Sequence, residues 1–323
     1  QIIASGYNRL NQISSEGGVQ PGEYIVKYAA DRVRTTSTVW LGATMGCAEC
    51  HSHKFDPFTQ SNFYEFAAFF ADVKERGKYE HGRFGYGPFM LLGTPEQLEE
   101  IEGFDQEIKD LKRLIACAED MSDEKKKHES KLKSVEGRKK RASDVIPSTL
   151  ITESVESREI RVLPRGNWLD KSGPVVEPRI PESLGMLDVD GRATRLDLAE
   201  WFVNEKNPLT ARVYVNRLWK QFFGTGLSKV LDDLGAQGEW PSHPELLDWL
   251  AVEFMDSGWD VKHMVRLIVS SNTYRQSSQR NPDALVMDPY NRLVAYQNRL
   301  RFEAEQVRDN ALATRGMLVS KIG

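Results

Sequence analysis

"EYIVKYAADRVRTTSTVWLGATMGCAECHSHKFDPFTQSNFYEFAAFF", residues 23–70, reads as a helix, a short cysteine-bearing turn and a second helix. In the first part Val26, Ala29, Ala30, Val33, Thr36 and Trp40 or Leu41 recur at three- and four-residue steps, the spacing of one buried helix face. Phe63, Phe66, Ala67, Phe69 and Phe70 repeat that period, and Pro57 with the polar Thr59-Gln60-Ser61 ahead of them is a start signal. Between the two patterns lie Cys47, Cys50, His51 and His53, which include two of the chain's 3 cysteines and two of its 6 histidines.

Cys47-Ala48-Glu49-Cys50-His51 matches the C-x-x-C-H pattern of covalent haem attachment. Two cysteines three apart in a helix-like turn can each add to one vinyl group of a single haem. The adjacent histidine then lies beneath the ring as proximal iron ligand. The pattern therefore assigns thioether bonds to Cys47 and Cys50 and the iron to His51. Zinc is the alternative, using Cys47, Cys50 and His53. A closed zinc site needs a fourth ligand, and with no second C-x-x-C it would have to come from a distant residue such as His81 or His243. A thioredoxin-type redox pair needs a strand–helix–strand setting, whereas this motif follows a helical pattern.

The sixth iron position decides the chemistry. A Met or His there gives an electron carrier, and an open position gives a haem that binds peroxide or oxygen. Candidates are Met45, Met90, His81, His243 and His263. Met90, in "GYGPFMLLG" after a glycine-rich loop, ranks first and His81 second. Around the proximal ligand, His53 is suited to bond a haem propionate or to orient nearby backbone. Lys54 is suited to pair with a propionate, and Asp56 before Pro57 is turn chemistry.

Composition bounds the rest. The 323 residues suffice for two ordinary domains, and 43 Lys+Arg against 47 Asp+Glu leave a net charge of −4, without a general pull toward nucleic acid or anionic membrane. No apolar run reaches the roughly 18 residues of a membrane span. Cys117, at a helical-period position in "LKRLIACAEDM", is expected to be a small buried hydrophobe. Four segments follow by character: 1–94 with the motif, 95–144 as a charged helical hairpin turning near Met121–Asp123, 145–185 as an extended connection with a short strand in "SREIRVLPRG", and 186–323 as a helical C-terminal domain. The lysine-rich "SDEKKKHESKLKSVEGRKKRAS" is expected to be a solvated helix face beside glutamates. "TARVYVNRLWKQFFG" is expected to bury Val213, Val215, Leu218, Trp219 and Phe222 and to stop at Gly224. Ser242 with Glu245 is expected to form a capping box. The predicted fold is mainly α with little β. Both chain ends read as cuts through a longer protein.

At "GCAECHSHKFDPFTQSNFYEFAAFF" the chain resembles the planctomycete cytochrome-c-type domain family, which carries a C-x-x-C-H-x-H-K-F/Y-D-P segment followed by an aromatic helix. "REIRVLPRGNW", "RVYVNRLWKQFFGTGL", "GEWPSHPELLDWLA", "NTYRQSS" and "RLRFEAEQVRDNAL" resemble the C-terminal domain associated with it. Ser52 departs from the Asp of the family pattern. The resemblance implies haem c at Cys47 and Cys50 with His51 proximal, in an exported protein at the periplasm, cell surface or outside the cell. It supplies no reaction. Electron transfer to a redox partner is the leading expectation. A haem enzyme acting on peroxide or an extracellular polymer is one alternative, and a surface interaction protein with structural zinc is the other.

Overall fold

The computed structural model describes residues 2–80, 85–118, 123–280 and 282–319. It is mainly helical, with strands of no more than three residues. In chain order the helices are α1 (Pro21–Thr36), α2 (Gln60–Ala67), α3 (Pro95–Cys117), α4 (Asp123–Asp144), α5 (Arg195–Phe202), α6 (Leu209–Phe223), α7 (Pro244–Asp256), α8 (Val261–Ser270), α9 (Asn272–Arg275), α10 (Pro282–Met287) and α11 (Ala304–Thr314). The strands are β1 (Phe89–Leu91), β2 (Ser148–Leu150), β3 (Ile160–Arg161) and β4 (Val175–Val176). The chain forms two compact units, each discontinuous in sequence. Unit 1 comprises Gln1–Arg32 and Phe70–Glu159, and unit 2 comprises Val33–Phe69 and Ile160–Gly323.

Unit 1 holds the hairpin. Thr94 caps α3 by accepting from the Gln97 N–H while the Gln97 side chain accepts from the Thr94 N–H, and Pro95 fills the first helical position. Ile101 and Leu111 of α3 and Val135 of α4 are buried along the seam. Ion pairs flank that seam: Lys131 and Arg138 reach Glu107 at 3.1 and 3.2 Å, and Lys139 pairs with Asp105. The lysine-rich stretch is thus a helix face whose charges meet acids of the facing helix. Cys117 is exposed, contrary to expectation. It lies on the last turn of α3, where a two-helix seam has no third layer to cover a side chain off the stripe. Met121 and Ser122 of the expected turn lie outside the described residues. β1 and β2 pair antiparallel with Met90 opposite Thr149.

A buried carboxylate ties the rest of unit 1 together. The Glu75 side chain is wholly buried, with Arg32 Nη2 2.6 Å from one oxygen and Arg158 Nη2 2.9 Å from the other. Arg158 also donates to the Val73 carbonyl at 2.8 Å, and Arg32 Nε to that of Asn8 at 2.9 Å. Tyr28 on α1 donates its hydroxyl to the Gly77 carbonyl at 3.0 Å.

Unit 2 packs α6, α7 and α8 around one apolar core. Val215, Trp219 and Phe223 of α6 meet Leu247, Leu250 and Phe254 of α7 and Met264 and Ile268 of α8. Trp219 stacks on Phe223 with centroids 4.0 Å apart, and Tyr214 on Phe254 at 4.7 Å. Each large side chain so buried contributes about 1.5–3 kcal/mol. Of the expected set on α6, Val213, Val215 and Trp219 are buried, while Leu218 and Phe222 are partly covered. The helix ends at Gly224, φ 82°. The expected Ser242–Glu245 capping box does not form: the cap position is His243, and the Ser242 hydroxyl donates to the Leu227 carbonyl at 3.3 Å instead. No residue of α11 is buried.

Glu75→Gln is expected to lower stability by about 3–5 kcal/mol, because it leaves two guanidinium groups without their buried counter-charge. Urea denaturation at neutral pH measures it, and a loss below about 1 kcal/mol would remove this carboxylate from the centre of unit 1.

Candidate functional site

Unit 2 carries the C-x-x-C-H turn, and the chain enters it through an abrupt stop. α1 runs into a π-helical turn, Ser37–Leu41, which ends at Gly42 with φ 55°. Left-handed backbone favours glycine, and a Cβ here would also lie 2.9 Å from the Val213 side chain. The Gly42 carbonyl accepts from the Leu234 N–H at 2.7 Å. Arg217 of α6 donates to the Val39 and Thr38 carbonyls at 2.6 and 3.1 Å. Met45–Glu49 then forms a 3-10 turn that buries Met45 and Ala48. It leaves Cys47 and Cys50 exposed as free thiols. The Cys50 N–H closes the turn on the Cys47 carbonyl at 3.4 Å. Arg34 forms an ion pair with Glu49 inside the motif.

His51 is exposed, and its Nδ1 lies 2.8 Å from the Ser52 carbonyl oxygen. A carbonyl only accepts, so Nδ1 is the donor in this contact. A histidine whose other nitrogen donates to a backbone carbonyl is the usual form of a metal-binding imidazole. Two exposed thiols at the ends of one short turn, followed by an exposed histidine whose Nδ1 bonds a backbone carbonyl, are the residues that haem c requires, and they fit it.

α2 holds this turn in place. Thr59 caps the helix reciprocally with Asn62. One turn apart on it, Gln60 Nε2 donates to the Glu49 carbonyl at 3.0 Å and the Leu163 carbonyl at 3.1 Å, and the Tyr64 hydroxyl reaches the same two oxygens at 2.9 and 3.4 Å. Burial pushes the Tyr64 hydroxyl far above the ordinary tyrosine range, and the charges of Glu49 and Cys50 push the same way. Through Leu163 the clamp also fixes the turn Pro164–Gly166, where Arg165 (φ 54°) and Gly166 (φ 71°) are both left-handed. A Cβ on Gly166 would lie 3.0 Å from Cys50 Sγ.

The remaining described candidates belong to different elements. His53 is buried: its Nδ1 accepts from the Asp56 N–H at 2.8 Å, and its Nε2 faces Thr44 Oγ1 at 3.4 Å. It orders the loop's own backbone. Asp56 is buried too, and accepts from the Ala236 N–H at 2.8 Å. Lys54 is exposed, with Nζ 5.1 Å from the centre of the Phe55 ring. Met45 is fully buried within the 3-10 turn. His243 Nδ1 lies 3.0 Å from Ser242 Oγ, and His263 Nε2 lies 2.6 Å from Glu253. Met90 is the central residue of β1 in unit 1. His81 lies outside the described residues. Among the described residues no three His, Cys, Asp or Glu side chains cluster to hold a metal ion. Gln60, Tyr64 and Gly166 escaped the sequence reading. Gly166 sits in a visible turn, "LPRGN", but nothing in that string names its partner.

Residues 1–75 match the family described as PSCyt2, a protein of unknown function (DUF1549). Residues 194–323 match PSD1, also a protein of unknown function (DUF1553). Both are typical of planctomycete-type proteins and support that resemblance, and neither description names a cofactor. No curated protein and no solved structure matches the chain.

Tyr64→Phe removes a hydroxyl that two carbonyls share and is expected to cost about 1–2 kcal/mol at neutral pH. The raised Tyr64 pKa also fixes a sign. The unfolded chain ionises this group from about pH 10 while the folded chain does not, so stability present below that pH is lost as pH rises through it. Tyr28, raised by burial as well, adds to the same slope. Denaturation of wild type and Tyr64→Phe between about pH 9 and 11 should show a shallower decline in the variant.

Proposed function

We propose that this chain is part of an exported c-type haem protein that transfers electrons, with Cys47 and Cys50 forming the thioether bonds and His51 holding the iron. The observation that carries it is His51, exposed beside two exposed thiols, with Nδ1 committed to the Ser52 carbonyl and Nε2 the ring nitrogen left for the iron. Haem when bound supplies one-electron redox chemistry. This chain's residues hold and orient it: Gln60 and Tyr64 anchor the turn, and the Nδ1–H bond sets the imidazole's tautomer. The thiols and His51 are at the surface, so a haem held by them would be within reach of a redox partner, which favours electron transfer over chemistry in a closed chamber. Closed structural zinc needs four ligands, and the described residues do not gather them. The two family matches support a planctomycete-type setting. Thioether formation on this motif occurs outside the cytoplasm, so export to the periplasm, cell surface or medium belongs to the proposal.

The test is a pyridine haemochrome spectrum on denatured protein produced with a c-type maturation system. Wild type is expected to retain haem, and Cys50→Ser to show the red shift of a single thioether. Failure of the spectrum to form a Soret band, with one zinc per chain, would overturn the proposal. Carbon monoxide binding to the reduced protein would replace electron transfer with a ligand-binding haem.

A further inference from the structure

Cys50 Sγ is flanked by a backbone turn distant in sequence. The Pro164–Gly166 turn presents Gly166 at a point where a Cβ would lie 3.0 Å from the sulfur and 3.6 Å from Glu49 Cγ. Ordinary contact begins at about 3.5 Å, so any side chain at 166 presses on the thiol. The turn cannot simply back away, because Gln60 and Tyr64 bond the Leu163 carbonyl and the Glu49 carbonyl together. The Gly166 N–H also closes the turn on Leu163 at 2.9 Å.

We propose that Gly166 is a positioning residue of the thiol site: its missing side chain leaves the space in which Cys50 Sγ exchanges its S–H bond for a bond to carbon. The inference deepens the haem reading and rests on it for the identity of the group bound. A thioether forms by adding S–H across a vinyl double bond, sulfur to one carbon and the proton to the other, with no leaving group and no external oxidant. The sulfur then needs room for one more carbon. Among the described residues no glycine is placed against Cys47 in this way, and Cys47 serves as an internal reference.

The experiment uses the full reduced chain, first without haem. Wild type, Gly166→Ala, Gly166→Asn and Arg165→Gly are treated with limiting iodoacetamide, and alkylation of Cys47, Cys50 and Cys117 is followed by peptide mass spectrometry. Asparagine accepts left-handed backbone better than alanine, so the two Gly166 variants separate bulk from strain. Both are expected to lower the Cys50-to-Cys47 rate ratio roughly threefold or more. Arg165→Gly alters the same turn without adding atoms near the sulfur and is expected to keep the wild-type ratio. A ratio unchanged or raised in both Gly166 variants, or Cys47 and Cys117 slowing in parallel with Cys50, would overturn the inference. The same proteins are then matured with haem, and a larger single-thioether fraction is expected in Gly166→Ala. A lowered alkylation ratio in a chain that takes no haem sinks the haem reading alone. A haem-loaded wild type with an unchanged ratio sinks the Gly166 inference alone.

Discussion

The Glu49 carbonyl oxygen accepts from both Gln60 and Tyr64, and the arrangement of the site depends on that shared acceptor. A 3-10 turn of five residues has too few internal bonds to hold a geometry by itself. Here the turn borrows rigidity from α2, whose aromatic face is buried through Phe63, Tyr64 and Phe66. The same two side chains reach the Leu163 carbonyl, so one helix face sets the spacing between the cysteine turn and a turn about a hundred residues on. Hydrogen bonds of this kind are each worth about 1 kcal/mol net, but leaving such a carbonyl buried and unmet costs more. The geometry of the thiols is therefore a consequence of satisfying backbone.

The helices were readable because their signals are local. The apolar steps of α1 and α6 and the glycine at 224 each act within a few residues, and the observed elements follow them. The cysteine motif was readable for the same reason. What escaped depends on partners far along the chain. Ser242 followed by Glu245 has the form of a cap, yet the Leu227 carbonyl competes for the hydroxyl and wins. Cys117 keeps a helical period, yet periodicity names a face and not what covers it. Tyr64 read as one aromatic among several, and nothing adjacent announces that its hydroxyl has two acceptors.

The charged hairpin shows how composition misleads less than it suggests. A run with this many lysines invites an anionic partner, but Glu107 alone meets both Lys131 and Arg138 from the facing helix. Exposed pairs of this kind each contribute little, about 0.2–1 kcal/mol. They set register between two helices whose apolar seam is narrow, and they keep like charges on α4 from repelling the hairpin apart.

Gly42 offers a last consequence. Its neighbours Val39 and Thr38 are bonded by Arg217, and Asp56 receives the Ala236 N–H, partners 178 to 180 residues later in the chain. Contacts of such separation close slowly and only after most of the chain is in hand. The segment matching one family thus takes its anchors from the segment matching the other. The two are interlocked and not modular: a gene that kept the first and lost the second would encode a cysteine turn still bonded to α2 but stripped of its Arg217 and Ala236 anchors, so they are expected to be inherited together.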